Sequence, residues 1–348
     1  MKREKMKKNL YTIITLAATF AFSILLVIPC PATATGSTPV TVKTFVRAET
    51  DIAIKKLYDT TGLNKFFHIR VPAPIDKQDV IRMNRDTIYS SAVLDLGKPV
   101  TVILPEAGGR YMNLHVINQD HYSFAVSKPG RHKLTEKNVG SRYAYLIVRT
   151  FVNADDPKDI KAANKAQDAM TIEGGGSGSL NLPDWNTEQV LEARAALNTL
   201  AKLGGNAAHA FGTKKEVNPI DHLVFAAAGW GGLPQKSAFY EISSVTKNDG
   251  TPYTVTVKEV PVNAFWSITV YNAEGFIAEN PEGRYSFNNV TSKPNKDGSI
   301  TINFGACDDD SVNCLPISKG WNYAVRMYDP RSEILDGSWK FPAIEPVK

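Results

Sequence analysis

The sequence has 348 residues, 43% of them hydrophobic and 22% charged, with a formal net charge of +5. That composition excludes a disordered chain, and the length is enough for two domains. Lys2, Arg3, Lys5, Lys7 and Lys8 stand against Glu4 alone within residues 1–34, which leaves +1 on the remainder and no electrostatic case for a nucleic-acid partner.

The basic start precedes an apolar run from Leu10 to Ile28 and the small-x-small pattern Ala32-Thr33-Ala34. This is the form of a cleavable export signal, cut after Ala34, and it implies a periplasmic or secreted protein with no membrane attachment after cleavage. A retained anchor is the competing reading, because the run approaches the ~20 residues that span a bilayer. Pro29 beside Cys30 disfavours a lipoprotein. Beyond the leader only Cys307 and Cys314 remain, flanking a polar turn-forming stretch, and an exported chain with two cysteines this close is expected to join them in a local disulfide.

An amphipathic helix is expected from Thr44 to Tyr58, with Gly62 as its stop. Arg47 and Asp51, four residues apart on one face, read as an intrahelical pair. Pro72 and Pro74 then forbid regular structure. Strands follow at Ile88–Leu96, Lys98–Leu104, Tyr111–Asn118, Ser123–Val126 and Tyr143–Val152. The third alternates strictly, with Tyr111, Asn113, His115 and Ile117 on one face. Asp156-Pro157 starts a helix to about Met170, Gly174 to Gly178 is a flexible connection, and Asn186 caps a helix that stops at Gly204-Gly205. Short helical pieces are expected at His209–Gly212 and Pro219–Ala228, and a second β region from Tyr253 onward.

The second β region repeats the first. Pro99-Val-Thr-Val-Ile-Leu followed by Tyr111 to Asn118 has its counterpart in Pro252-Tyr-Thr-Val-Thr-Val followed by Phe265 to Asn272. Tyr143-Ala144 reaching Arg149-Thr-Phe151 is matched by Tyr323-Ala324 reaching Arg326-Met-Tyr328. The expected fold is mainly β with α connectors: two antiparallel β-sandwich domains joined by a helical segment and related by internal duplication, the alternative being two unrelated sandwiches that use the same strand chemistry. The division is residues 1–34 as signal, 35–156 as a helix plus sandwich, 157–235 as helical connector and 236–348 as the second sandwich.

The chain resembles the bacterial proteins that pair a DUF1254 domain with a DUF1214 domain. Phe45-Val-Arg-Ala-Glu-Thr-Asp51, Phe66-Phe-His68, Arg82-Met-Asn-Arg-Asp-Thr-Ile-Tyr-Ser90 and Val116-Ile-Asn-Gln-Asp-His-Tyr122 carry the first resemblance. Val260-Pro-Val-Asn-Ala-Phe-Trp-Ser267, Val270-Tyr-Asn-Ala-Glu-Gly275, Trp321-Asn-Tyr323 and Glu333-Ile-Leu-Asp-Gly-Ser-Trp339 carry the second. The resemblance implies two jelly-roll-like domains and no assigned activity.

Arg82, Asn84, Arg85, Asp86 and Tyr89 crowd the entrance of a core strand. They read either as a ligand site, with arginine holding a carboxylate or sugar hydroxyls and Asp86 as partner or base, or as an internal Arg–Asp network at the domain seam. Asn118, Asp120, His121 and Tyr122 end a strand of the same domain, and an Asp–His pair can orient a general base, although adjacent residues usually point apart. The working site takes Asp86, Asp120 and His121 as catalytic candidates. Arg47, Arg82, Asn84, Arg85, Tyr89, Asn118 and Tyr122 are the ligand-binding candidates, in one pocket between the two groups. His68, His115 and His121 could together ligate a metal, although no pair of them has helix-type ligand spacing. Trp230, Trp266, Trp321 and Trp339 are sugar-stacking or core aromatics. The expected role is binding or processing of a small molecule or carbohydrate. A metal-assisted or Asp/His hydrolase or lyase, or a structural module of the envelope, are the alternatives. No cofactor is specified, and a homo-oligomer is compatible with exposed sandwich faces.

Overall fold

The computed structural model describes residues 37–78, 80–204, 207–308 and 310–347; the expected leader lies outside the described residues. The first part of the chain runs α1 (Phe45–Thr61), β1 (Phe67–His68), β2 (Thr87–Asp95), β3 (Val100–Leu104), β4 (Met112–Asn118), β5 (Ser123–Val126), β6 (Gly130–Leu134), α2 (Glu136–Val139) and β7 (Tyr143–Phe151). Then come α3 (Pro157–Asp168), β8 (Thr171–Gly174), α4 (Thr187–Ala201) and α5 (Pro219–Ala228). The last part is β9 (Ala238–Ser244), β10 (Tyr253–Val257), β11 (Trp266–Tyr271), β12 (Ser286–Asn288), β13 (Ile300–Phe304), β14 (Cys314–Leu315), β15 (Asn322–Tyr328), α6 (Ser332–Leu335) and β16 (Glu345–Pro346). The expected caps form: Asp156 accepts from the Lys158 amide, Asn186 from Gln189, and Gly62 ends α1 at φ 78°.

The fold is mainly β. A large sheet ordered β1-β2-β7-β4-β5 and a small one ordered β6-β3-β8 form the first sandwich. The second pairs β12-β11-β15-β9 with β14-β13-β10-β16. The large sheets share one strand order when β2, β7, β4 and β5 are matched to β9, β15, β11 and β12. Pairing is antiparallel except between β13 and β14. Even-numbered residues of β2, β4 and β7 meet β3 in one core around Leu94, Val102, Leu114 and Leu146. Trp266, Ile268, Phe304, Trp321 and Val325 do the same in the second sandwich. Each fully buried side chain of this kind contributes roughly 1.5–3 kcal/mol. Trp266 and Trp321 are therefore core residues. Cys307 and Cys314 are joined by a disulfide.

Two boundaries differ from expectation. Thr171–Gly174, read as the start of a connector, is the third strand of the small first sheet and pairs with β3. Gly174 sits at φ 81° where a Cβ would come within 2.6 Å of the Pro99 carbonyl, so its role is close backbone approach, not flexibility. Ala238–Ser244 is an additional strand at the edge of the second large sheet. Its outer half is solvent-exposed, which weakens the alternation by which strands are read.

The large first sheet is buried on both faces. At one end its second face is covered by α1, through Ile54 and Leu57 against Val93 and Tyr143. That helix is backed in turn by α4 and α5 through Phe45, Ala48, Val190, Leu197 and Leu223. At the other end it meets the second sandwich, where Phe151, Leu233, Ala238, Phe265 and Tyr328 pack together. The stretch before β2 ties this seam. The Arg82 amide donates to the Gly275 carbonyl at 2.7 Å, Tyr271 donates to the Met83 carbonyl at 2.9 Å, and Asn288 donates to Asp86 at 3.1 Å.

Asp86 is 2% exposed, its Oδ2 has no hydrogen-bond partner, and burial raises its pKa above the ordinary carboxylate value. A carboxyl whose folded-state pKa is raised lends stability at low pH and loses it as pH climbs through that pKa. The stability of the native protein relative to Asp86→Asn should therefore fall as pH is raised from about 4 to 8. Urea denaturation of both proteins across that range measures it; a difference that grows with pH would show that the ionised carboxylate is a net tie.

Candidate functional site

Arg149 and Arg326 occupy equivalent places in the two large sheets. Arg149, in β7, pairs with Tyr89 of β2; Arg326, in β15, pairs with Tyr240 of β9. Both arginines point away from their own sandwich core, because Val148 and Val325 beside them point in. They are 7% and 4% exposed. Guanidinium stays protonated at any accessible pH, and a buried charge ordinarily requires an opposite one. Neither forms an ion pair with a carboxylate among the described residues. Arg149 donates to the Gly231 carbonyl at 2.9 Å and approaches His115 Nδ1 at 3.5 Å. Arg326 donates to Thr269 Oγ1 at 3.0 Å, to the Arg82 carbonyl at 2.9 Å and to the Tyr271 hydroxyl. His115 is held neutral, since burial and then the neighbouring Arg149 push its pKa well below the usual value.

The two guanidiniums line a cavity of about 350 Å³, together with Arg82, Met83, Asn84, Tyr89, Tyr240 and Tyr328. Asn84 donates to the Tyr328 hydroxyl oxygen at 2.8 Å, which leaves the Tyr328 proton available as a donor. Burial pushes the Tyr328 pKa well above its ordinary value, so the hydroxyl stays neutral. The Nε of Arg82 is buried without a partner. Arg82 is also held at φ 56°, a backbone region that costs a non-glycine residue energy. The cavity lining thus holds three arginines and no carboxylate. Asp86 does not line it and offsets part of the Arg326 charge from outside. A larger hollow of about 530 Å³ lies against Tyr111, Phe151 and Phe265 at the same seam. Its lining carries Glu106, Asp159 and Asp329, and its arginine, Arg110, is held by Asp159. It has no unsatisfied positive charge of the kind that marks the first cavity.

The structure does not bring the residues singled out from sequence into one pocket. Thr87 pairs with Phe151 and Asn118 with Ala144, so the Asp86 group and the Asp120–His121 turn lie at opposite ends of β7, about 20 Å apart at ~3.3 Å per residue. Arg82, Asn84 and Tyr89 line the cavity. Arg85 turns away to the Ala73 carbonyl and stacks over Tyr285, and Asp86 is taken up by the seam. At the far end Asn118 accepts from the amides of Asp120 and Tyr122, closing the turn. Arg47 binds Asp120 through two bonds of 2.7 Å rather than pairing with Asp51, which accepts from Gln119 and Trp185. His121 accepts from the Gly231 amide at 3.0 Å. It is 1% exposed, and burial, reinforced by His222, lowers its pKa to about 3. An imidazole so depressed has little driving force to take a proton near neutral pH. Tyr122 stacks on His222 at 4.7 Å. His68 bonds Ser90 on the core-facing side of β2, whereas His115 is on the opposite face of the sheet, so His68 and His115 do not converge.

In the sequence Arg149, Arg326 and Tyr328 stand out only as marks of the repeat, and Tyr240 does not stand out at all. The available signal was an arginine inside an otherwise apolar strand, two residues before an aromatic, in both halves: Arg149-Thr-Phe151 and Arg326-Met-Tyr328.

The geometry can be set beside known proteins. The family described as a protein of unknown function (DUF1254) matches residues 63–144, and that described as a protein of unknown function (DUF1214) matches residues 240–332. No curated protein matches the sequence. Among solved structures, the VPA0106 protein from Vibrio parahaemolyticus is similar with a TM-score of 0.64 at 22% identity, over 88% of this chain and 98% of that one. An uncharacterized protein from Burkholderia cenocepacia aligns with a TM-score of 0.45 at 12% identity, over 88% and 85% of the two chains. The Vibrio likeness shows a shared fold, and the two domain matches together place this chain in the DUF1254/DUF1214 family.

Proposed function

We propose that this protein binds a small organic anion in the cavity between its two sandwiches, through Arg149, Arg326 and Arg82 with hydroxyl donors from Tyr89, Tyr240 and Tyr328. The observation that carries the reading is the pair of buried guanidiniums, one from each half, lining one cavity that contains no carboxylate. Charge-assisted bonds from guanidinium to carboxylate or phosphate are about twice as strong as neutral ones. A ligand of that class supplies the countercharge the protein leaves out. The Cys307–Cys314 disulfide supports an exported, oxidising setting. A hydrolytic role has less support, because Asp86 and His121 are buried and Asp120 is held by Arg47.

Residues 35–348 are titrated calorimetrically with acetate, succinate and phosphate. Arg149→Met should weaken binding of whichever anion binds by roughly 30-fold, the equivalent of about 2 kcal/mol for one charge-assisted bond. The ligand-free variant should melt within a few degrees of the native protein, since no buried carboxylate is orphaned. Unchanged affinity, or a stability loss above about 3 kcal/mol, would make Arg149 a structural tie and remove the proposal.

The affinity should be flat between pH 6 and 9, because the arginines keep their protons and Tyr328 is pushed upward. It should fall only below about pH 5, where a carboxylate ligand itself takes up a proton. Titration of acetate at four pH values measures this; a break near neutrality would point to a histidine in the binding step.

A further inference from the structure

We infer that the anion is amphipathic: a monocarboxylate with an aliphatic chain, its head at Arg149 and Arg326 and its chain laid along an exposed apolar strip at the cavity mouth. This rests on the anion-binding reading and narrows it.

The strip is built from the edges of the two large sheets. β9 is the edge strand of the second, and Tyr240 and Ile242 alternate onto the face that lines the cavity. β1 is the edge strand of the first. Phe67 pairs with Ser91, and the Ile69 amide donates to the Tyr89 carbonyl, so the register puts Ile69 opposite Tyr89 and Phe67 two residues along, on the face that Tyr89 shares but outside the lining of the cavity itself. Residues opposite one another in antiparallel strands share a face at about 5 Å. Val80, from the segment that carries Arg82, completes the rim. These five side chains are 40–61% exposed.

Scattered exposed apolar residues are ordinary, but here Val80, Tyr240 and Ile242 line one charged cavity and Phe67 and Ile69 extend the same face along the adjoining edge strand. The strip alone would accept many apolar partners. The charge beneath it selects among them. A neutral lipid would leave the guanidiniums uncompensated, and an inorganic anion would leave the strip in water. A chain with one terminal carboxylate satisfies both, and the depth of the arginines below the rim sets the order: head first, tail outward.

The test is a chain-length series. Acetate, butyrate, hexanoate, octanoate and decanoate, all below their micelle concentrations, are titrated into residues 35–348, with phosphate and decanol as controls. Affinity should rise about two- to fourfold per added methylene, as expected for partial burial of each group. Decanol should bind at least tenfold more weakly than decanoate. Phe67→Ser combined with Ile69→Ser, both on an exposed edge strand, should shrink the decanoate-to-acetate affinity ratio at least tenfold. Arg149→Met should weaken every acid in the series by a similar factor. Acetate or phosphate binding with no chain-length dependence would overturn the tail while leaving the anion site standing. Decanol binding as tightly as decanoate, or a chain-length series indifferent to Arg149→Met, would overturn the head. Failure of every anion to bind would remove both this inference and the reading beneath it.

Discussion

Two positive charges are buried at the seam of this protein without an ion pair to any carboxylate among the described residues, and the seam is organised around that constraint. Moving a guanidinium out of water costs several kcal/mol even after relaxation. Here the cost is offset by oxygen lone pairs: the carbonyls of Gly231 and Arg82, and the hydroxyls of Thr269 and Tyr271. Two of these four acceptors lie in loops and two in β11, the strand beside Arg326, so the charge fixes how the loops run. The Gly231 turn is pinned from both sides, its carbonyl by Arg149 and its amide by His121. Beside the charges stands a wall of aromatic rings. Phe265 stacks on Tyr328 at 4.3 Å, and Tyr111 and Phe151 pack against Phe265 edge-on. The wall supplies the apolar burial that holds the two sandwiches together.

The helical layer solves a different problem. A sheet with apolar side chains on both faces must be covered on both, and α1 covers the face that the second sandwich does not reach. Its polar residues are used as ties. Arg47 holds the Asp120 turn, Glu49 holds Arg194 of α4, and Asp51 accepts from Gln119 and Trp185. Burial raises the Asp51 pKa, so this last tie is made against an electrostatic penalty. Polar density in the sequence therefore marks places where chain segments must be joined at least as often as places where a ligand sits.

That distinction explains what could be read in advance. The positions of the longer strands, the helix caps and the disulfide follow from local rules, in which alternation, Asp-Pro, Asn and Gly and paired cysteines act within a few residues. The strand at Thr171–Gly174 was missed because it is four residues long and ends in the glycine that fits it against Pro99. Of the site, Arg82, Asn84 and Tyr89 were legible as a polar cluster beside a strand. Asp86 and His121 were not separable from them, because neither burial nor distance along the sheet is written in spacing. Arg149 and Arg326 were visible as a repeat but not as a pair facing one cavity. Their meeting depends on how one sandwich docks on the other, which no local pattern encodes.

The equivalence of the two arginines does not make the cavity symmetric. Arg326 is fixed by bonds of 3.0 Å or less to three partners, with a further 3.5 Å contact to the Met83 carbonyl, and shares the field of Asp86. Arg149 has one firm bond and one contact of 3.5 Å to a neutral imidazole, with its guanidinium 5.7 Å from the Tyr89 ring. Arg326 is the positioned wall of the site, and much of its charge is already solvated by protein. Arg149 retains more unsatisfied hydrogen-bonding capacity, so under the proposed anion binding the larger share of the binding energy would fall to it. A repeated strand pattern has thus given two similar residues different surroundings: one is tied into the seam by several bonds, and the other faces the cavity with fewer.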